Sequence, residues 1–246
     1  MVDVDTLRGQ IIDELWLPIV REARTKFYTR PKKSKGMKLF TLTDGISFKE
    51  IRALVDAGLV QRGDAVLWVG DMIKVVRAES ESIGTVLNGS VYNESFLGPA
   101  SPLCNHLPFY ILNLDYSSQD SGGVVNRIEQ EIARAEEIII LQSQNMSQRF
   151  VLIQTTVIDS GSLDKDGICR ASDEYPVGGW GGLNGGIFPQ PISDDTQKIC
   201  FIDDVIKQIC QKHGYQIHNS TSLSKPIPGG RNQLHSVAGI FIKAQI

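Results

Sequence analysis

Apolar runs alternate with amphipathic stretches along most of this chain, and the alternation strongly limits the folds available to it. The runs DAVLWVGD, FYILNLDYS and RFVLIQTTVID are almost wholly apolar at their centres. Such runs are typical of strands that are buried on both faces. Stretches with helical spacing separate them, among them SFKEIRALVDAGL and VVNRIEQEIARAEEIIILQSQN. The pattern therefore indicates a mainly parallel sheet with helices on both sides.

The last two predicted strands break this rule. YQIHNSTSL and LHSVAGIFIKAQ have only the turn-rich SKPIPGGRNQ between them. A parallel crossover needs a dozen or more residues, so these two strands can be neighbours only as an antiparallel hairpin. We predict an α/β fold, a three-layer sandwich with a mainly parallel seven-stranded sheet and one antiparallel strand from the C-terminal hairpin.

Two regions lie outside the regular alternation. Residues 1–36 are predicted to form an N-terminal helical extension with a basic linker, and residues 37–246 the α/β domain. A stretch near 160–196, rich in Gly, Asp, Ser and Pro, is predicted to be an insertion. Its Trp180 stands among glycines, so the insertion is either a substrate lid or a surface loop whose Trp packs on the core.

Two helix signals are local. Pro18 interrupts the apolar periodicity of the N-terminal helix, so we expect a kink or a split there. Ser47 and Glu50 have the spacing of a capping box, which predicts that Ser47 caps the helix after the first strand.

Composition excludes several classes of protein. The chain of 246 residues has a net charge of -3, which argues against a surface wholly adapted to nucleic acid. It has no apolar run of about 20 residues, which predicts no membrane span, and its polar N-terminus does not resemble a secretory signal. The cysteines form no C-x-x-C pair, so we expect reduced thiols, no metal site and a cytoplasmic location; they are Cys104, Cys169, Cys200 and Cys210.

The segment 26–38, KFYTRPKKSKGMK, is strongly basic and carries two aromatic residues, Phe27 and Tyr28. Lysines and arginines could bind phosphates while a ring stacks on a base, so the segment is a candidate contact for nucleic acid. A solvated linker explains the same composition.

Polar residues follow the predicted strands at their carboxyl ends. Thr43, Asp44 and Gly45 end the first strand, and Asp71 follows the second. The clearest strand ends in Asn-Leu-Asp-Tyr at 113–116. Ligands of open α/β sheets bind beside these ends, so the residues are candidates for a binding site. Helix capping by Asp71, turn formation by Asp44, and loop contacts of the last group remain as alternatives.

Several common catalytic motifs are absent from the sequence. It contains no G-x-S-x-G, no phosphate-binding GxxxxGK[ST] and no G-x-G-x-x-G. No Ser-His-Asp arrangement can be named from the spacing alone. These absences argue against hydrolases and nucleoside triphosphatases.

The order of elements resembles the class I, Rossmann-like methyltransferases that use S-adenosylmethionine, over residues 37–246. The NLDY sequence at 113–116 is similar to the Asn/Asp-Pro-Pro-Tyr/Phe motif of amino-methylating members, without its prolines. The resemblance implies that Asn113, Asp115 and Tyr116 line the methyl-transfer site. It also implies a set of residues that bind the cofactor through its methionine end, ribose and adenine; they are Thr43, Asp44, Gly45, Asp71, Asn93 and Glu94.

The first turn differs from the family pattern, because LTDGISFKE has one glycine where the family usually has two or three. Those glycines allow close approach of the backbone and supply positive φ. The resemblance implies a methyltransferase acting on an unidentified substrate, a nucleic acid or another amine. A catalytically inactive binding or assembly protein with the same fold is the alternative, and a nucleotide-binding oxidoreductase is a third hypothesis.

Overall fold

The structure is a computed structural model that describes most of the chain. The described residues are 4–27, 37–43, 48–70, 75, 83–89, 95–97, 101–117, 127–145, 147–158, 195–229 and 232–244. The predicted insertion near 160–196 lies almost wholly outside them.

A seven-stranded sheet forms the middle layer of the molecule. Its strand order is β3-β2-β1-β4-β5-β7-β6. β7 runs antiparallel to both of its neighbours, and the other pairs are parallel. The predicted sheet and its reversed strand are thus confirmed. The strands are β1 (Leu39–Thr43), β2 (Ala65–Val69), β3 (Gly84–Asn88), β4 (Ile111–Asp115), β5 (Arg149–Ile158), β6 (Tyr215–Pro226) and β7 (Gln233–Lys243).

Helices cover both faces of the sheet. Their bounds are α1 (Val4–Ile11), a π-helical turn (Ile12–Trp16), α2 (Leu17–Phe27), α3 (Lys49–Asp56), a 3-10 helix (Pro102–His106), α4 (Arg127–Gln144) and α5 (Asp195–Lys212). Apolar residues of α1, α2 and α3 share one core cluster with one face of the sheet. Those of α4 and α5 pack on the other face.

The N-terminal helical segment follows a continuous helical path past Pro18. Proline has no N–H and its ring collides with the carbonyl four residues earlier. A single wide turn just before Pro18 accommodates it, and there the N–H of Leu17 donates to the carbonyl of Ile12. The expected split is therefore replaced by a π-helical turn.

This N-terminal segment is a layer of the main fold. Ile11, Trp16 and Val20 are fully buried and belong to the same core cluster as Leu67 of β2 and Ile153 of β5. The helices of residues 4–27 thus supply apolar surface that covers the sheet.

Two element boundaries differ from the sequence prediction. The helix after β1 begins at Lys49, and Phe48 occupies the N-cap position that the sequence predicts for Ser47. Ser47 itself lies outside the described residues. β3 begins at Gly84, although the stretch MIKVVRAESESIG that ends at this glycine has a sequence pattern typical of a helix.

Gly84 is required by close packing between β3 and β2. A methyl group at this position would collide with the carbonyl oxygen of Ala65. We expect Gly84→Ala to lower the free energy of unfolding by about 1–3 kcal/mol, the usual range for overpacking. Gly9→Ala is the matched control, because a methyl group on Gly9 of α1 has no neighbour within 4 Å and raises helix propensity. In urea denaturation the two changes should have opposite signs, and a stabilising Gly84→Ala would contradict the packing.

Two sequence expectations concern membranes and cysteines. Among the described residues no helix is both long and apolar enough to cross a bilayer. Cys104 is exposed and Cys210 is buried, and neither forms a disulfide with a described residue. Burial raises the pKa of Cys210, so its sulfur stays protonated and acts as an apolar core group.

Candidate active site at the carboxyl edge of the sheet

The strand order reverses between β1 and β4, and ligands of open α/β sheets bind beside the carboxyl ends at such a point. β1 ends at Thr43 and β4 at Asp115. The two strands pair with Thr41 beside Asn113, so Thr43 and Asp115 follow two residues later on each strand. The structure thus brings the predicted residues of β1 and β4 to one place.

Asn113 lies on the sheet face that α1 to α3 cover. Its side chain is 1% exposed, and its Nδ2 donates to Thr41 Oγ1 over 2.9 Å. Its Oδ1 accepts no hydrogen bond from the part of the chain that the structure describes. A buried acceptor without a donor costs about 1–3 kcal/mol, so it calls for an explanation in terms of ligand, water or function.

Asp115 is fully buried at the end of β4 and is paired with a residue of the N-terminal helix. Arg8 Nε lies 3.3 Å from Asp115 Oδ2, and Arg8 itself is only 3% exposed. Ser117 closes the group: its N–H and hydroxyl donate to Asp115 Oδ1, and its Oγ accepts from Arg8 Nη2 over 2.7 Å. The carboxylate is thus neutralised by a guanidinium that reaches it from α1.

Tyr116 points to the opposite face, as the alternation of side chains along a strand requires. Its ring is fully buried in the core under α4, and its hydroxyl donates to the carbonyl of Glu131 over 3.1 Å. The ring therefore packs in the core, and Tyr116, which the resemblance implies to line the methyl-transfer site, lies on the face opposite Asn113 and Asp115.

A row of polar side chains continues from Asp115 across β5 and β7. Thr155 pairs with Asp115 on one side and with Ser236 on the other. The hydroxyl oxygens of Thr155 and Ser236 are 2.8 Å apart, and Trp16 Nε1 donates to Ser236 Oγ over 3.0 Å. The N-terminal helices are thus bound to the carboxyl edge of the sheet at Asp115 and at Ser236.

The structure describes only the two ends of the turn between β1 and α3. Thr43 is 1% exposed, and Asp44 and Gly45 lie outside the described residues. Phe48, just before α3, has a left-handed backbone with φ 48° and is fully buried. That conformation costs a bulky residue about 1–3 kcal/mol, and such strained residues cluster at ligand sites. Positive φ, which glycines supply in the related fold, thus occurs here on a phenylalanine.

Three further residues are predicted to bind the cofactor. Asp71, Asn93 and Glu94 lie outside the described residues. β2 ends at Val69, two positions before Asp71. Within the described ranges no group of three or more His, Cys, Asp or Glu side chains could hold a metal ion.

Arg8 is the site residue that sequence reasoning missed. It falls on the apolar stripe of the first helix, since Ile11, Ile12 and Leu15 follow it at helical spacing. An arginine within a buried stripe needs a partner in the folded protein, because an unpaired buried charge is costly. The position of Arg8 on the apolar stripe could have indicated a buried ion pair, although it does not identify Asp115 as the partner.

The topology of the sheet identifies the fold. The strand order and the single antiparallel strand are those of the class I methyltransferase fold, and the chain has that fold. No protein-family model matches the sequence, and no curated protein matches it either.

Several solved structures are similar to the chain at low identity. One is a candidate RNA methyltransferase from Pyrococcus horikoshii, at 12% identity and a TM-score of 0.45, over 96% of this chain and 83% of that one. A second is TYW2 of M. jannaschii in complex with AdoMet, at 9% identity and a TM-score of 0.43, over 86% of this chain and 72% of that one. A third is the magnesium protoporphyrin IX methyltransferase of Synechocystis PCC 6803 with bound SAH, at 13% identity and a TM-score of 0.42, over 99% of this chain and 89% of that one.

Proposed function

We propose that the chain binds S-adenosylmethionine at the carboxyl ends of β1, β2 and β4 and transfers its methyl group to an amine. The supporting observation is the pair of side chains at the end of β4. Asn113 Oδ1 and Asp115 Oδ2 are buried and lie two residues apart on one face; Asn113 Oδ1 accepts no hydrogen bond from the described chain, and Asp115 Oδ2 faces Arg8 Nε over 3.3 Å. Two such acceptors at the crevice suit a substrate that carries N–H groups.

The predicted residues other than Tyr116 then have the following roles. Thr43, Asp44 and Gly45 would hold the methionine end of the cofactor, Asp71 its ribose, and Asn93 and Glu94 its adenine. Asn113 and Asp115 would orient the amine towards the methyl group. The methyl group is already activated on sulfur, so alignment in a site without water is the main requirement.

A nucleic acid is the proposed macromolecular substrate, through the basic segment 26–38. The described ends of that segment are already engaged within the protein. Lys26 Nζ donates to Glu22 over 2.7 Å, and Lys38 Nζ lies 5.5 Å from the ring centre of Phe109. Phe27 packs edge-on against His218 with ring centres 5.2 Å apart. Phosphate contacts would therefore come from the basic residues between these ends.

A non-catalytic binding protein is the second candidate, and the buried Arg8–Asp115 pair favours it. A carboxylate that is neutralised within the chain can serve to fix α1 on the sheet. A protein of this kind would retain the fold without binding the cofactor.

Titration calorimetry with S-adenosylhomocysteine separates the two candidates. We expect the unmodified chain to bind and Asp71→Asn to bind about 10- to 100-fold more weakly, since the charged acceptor of the ribose hydroxyls is lost. Asp64→Asn is the matched control, because Asp64 precedes β2 at the opposite edge of the sheet. No binding by the unmodified chain would contradict the proposal and support the non-catalytic candidate. Equal losses in both variants would contradict the ribose role of Asp71.

A further inference from the structure

A second polar group lies on the other face of the sheet, under α5. Thr156 of β5, His235 of β7 and Ser224 of β6 are paired across three neighbouring strands, so they form one row. Asp203 of α5 reaches His235 from above this face. The row includes a histidine that is 1% exposed.

Hydrogen bonds connect three of these side chains in series. His235 Nε2 is 2.8 Å from Asp203 Oδ1, and His235 Nδ1 is 2.9 Å from Ser224 Oγ. A carboxylate only accepts hydrogen bonds, so in the neutral ring Nε2 carries the proton and Nδ1 is the acceptor that faces the Ser224 hydroxyl. This is the arrangement of a nucleophile, its base and an orienting carboxylate. In the usual serine hydrolase Nε2 faces the serine and Nδ1 faces the aspartate, whereas here Nδ1 faces Ser224 and Nε2 faces Asp203. In both cases the proton moves from the serine hydroxyl to the histidine ring.

Ser224 is also placed where a substrate can reach it. β6 is the edge strand of the sheet, and Ser224 is only partly buried. The N–H of Ile227 donates to Asn232, which sets the alternation of hydrogen-bonded pairs along the hairpin. By that alternation Ser224 and His235 form a non-hydrogen-bonded pair, so the N–H of Ser224 points away from β7. A backbone donor thus lies beside the nucleophile, as in the oxyanion hole of serine hydrolases.

Thr156 and Gln154 add an independent observation on the same face. Both side chains are 1% exposed. The Thr156 hydroxyl and both amide atoms of Gln154 have no hydrogen-bond partner among the described residues. Three buried polar atoms without partners destabilise a core whose only role is packing. A site that binds a polar ligand offers such atoms to that ligand as hydrogen-bond partners.

We propose that Ser224, His235 and Asp203 form a catalytic triad that cleaves small activated esters, a function separate from methyl transfer. His235 Nδ1 takes the proton of Ser224 as Oγ bonds to the carbonyl carbon. The bond to the leaving alcohol then breaks, and the alkoxide takes that proton from His235. Water attacks the acyl-serine in the same way, which releases the carboxylic acid and restores the hydroxyl. Asp203 is a positioning residue that stabilises the imidazolium.

A fluorophosphonate probe tests the triad directly on the full chain. Ser224 Oγ displaces fluoride from phosphorus, and mass spectrometry of the digested protein should find the adduct on Ser224. We expect Ser224→Ala to abolish that adduct. We expect Asp203→Asn to slow its formation by about 10-fold or more, up to the roughly 10⁴-fold seen in the serine protease triad. Ser222→Ala is the matched control and should not change labelling, since Ser222 is exposed on the same strand and face and pairs with Val237.

A second pair of variants covers the case in which Asp203→Asn fails to fold. Ser224→Cys should react with iodoacetamide at least about 10-fold faster than Ser222→Cys, although Ser222 is the more exposed position, because an adjacent imidazole activates a thiol. Absence of the fluorophosphonate adduct on Ser224, equal labelling of folded Asp203→Asn, or a slower thiol at 224 than at 222 would each overturn the proposal. None of these outcomes bears on cofactor binding, which calorimetry measures separately.

Discussion

Replacement of Arg8 by methionine is expected to lower the free energy of unfolding by about 3–5 kcal/mol. Arg8 is 3% exposed and Asp115 is fully buried, so the variant leaves a carboxylate in the interior without its cation. Removal of one partner from a buried ion pair is far more costly than loss of an exposed pair, since water cannot replace the missing charge. Urea denaturation monitored by tryptophan fluorescence measures the change.

Lys49→Met provides the control for this prediction. Lys49 of α3 pairs through its Nζ with Asp5 of α1, the helix that carries Arg8, over 3.1 Å, and both side chains are about half exposed, at 47% and 49%. Its loss should change stability by less than about 1 kcal/mol. The double variant Arg8→Met, Asp115→Leu should recover most of the stability, because an apolar pair needs no compensation. An Arg8→Met variant as stable as Lys49→Met would show that the buried pair does not secure α1.

Replacement of Trp16 by alanine is also expected to lower the free energy of unfolding, by about 3–5 kcal/mol. The indole is fully buried between the N-terminal helices and the sheet, and its N–H donates to Ser236 Oγ. The variant leaves a cavity and removes the hydrogen-bond donor of a buried hydroxyl. Differential scanning calorimetry of the variant and of the unmodified chain gives the comparison.

Arg21→Ala is the appropriate control for Trp16→Ala, because Arg21 lies on the exposed side of α2. It should change stability by no more than about 0.5 kcal/mol. The same packing predicts that residues 37–246 alone are much less stable than the full chain. A truncated protein with the melting temperature of the full chain, or a harmless Trp16→Ala, would contradict the role of the N-terminal helices as a layer of the fold.

The sequence predicted the sheet because its strands are unusually clear. β4 and β5 are apolar for most of their length, and the short connection between β6 and β7 leaves only a hairpin. Boundaries were harder to predict where local signals compete with packing. Ser47 carries a capping signal, yet Phe48 occupies the cap position because its ring is buried in the core.

The sequence predicts that polar residues follow β4, but it does not predict how their side chains are oriented. The alternation of side chains along a strand already separates Tyr116 from Asn113 and Asp115, and period two alone could have assigned Tyr116 to the other face. The partner of Asp115 could not be predicted, because Arg8 is more than 100 residues away in sequence. The arrangement of Ser224, His235 and Asp203 could not be predicted from the sequence either. It depends on the register of the β6–β7 hairpin and on how α5 lies over that hairpin.

A crystal structure of the chain soaked with S-adenosylhomocysteine tests the central claim most directly. We expect the nucleoside at the carboxyl ends of β1, β2 and β4, with the ribose hydroxyls within hydrogen-bond distance of Asp71 and the sulfur on the side of Asp115. An empty crevice at saturating ligand, or a ligand bound elsewhere on the protein, would contradict it.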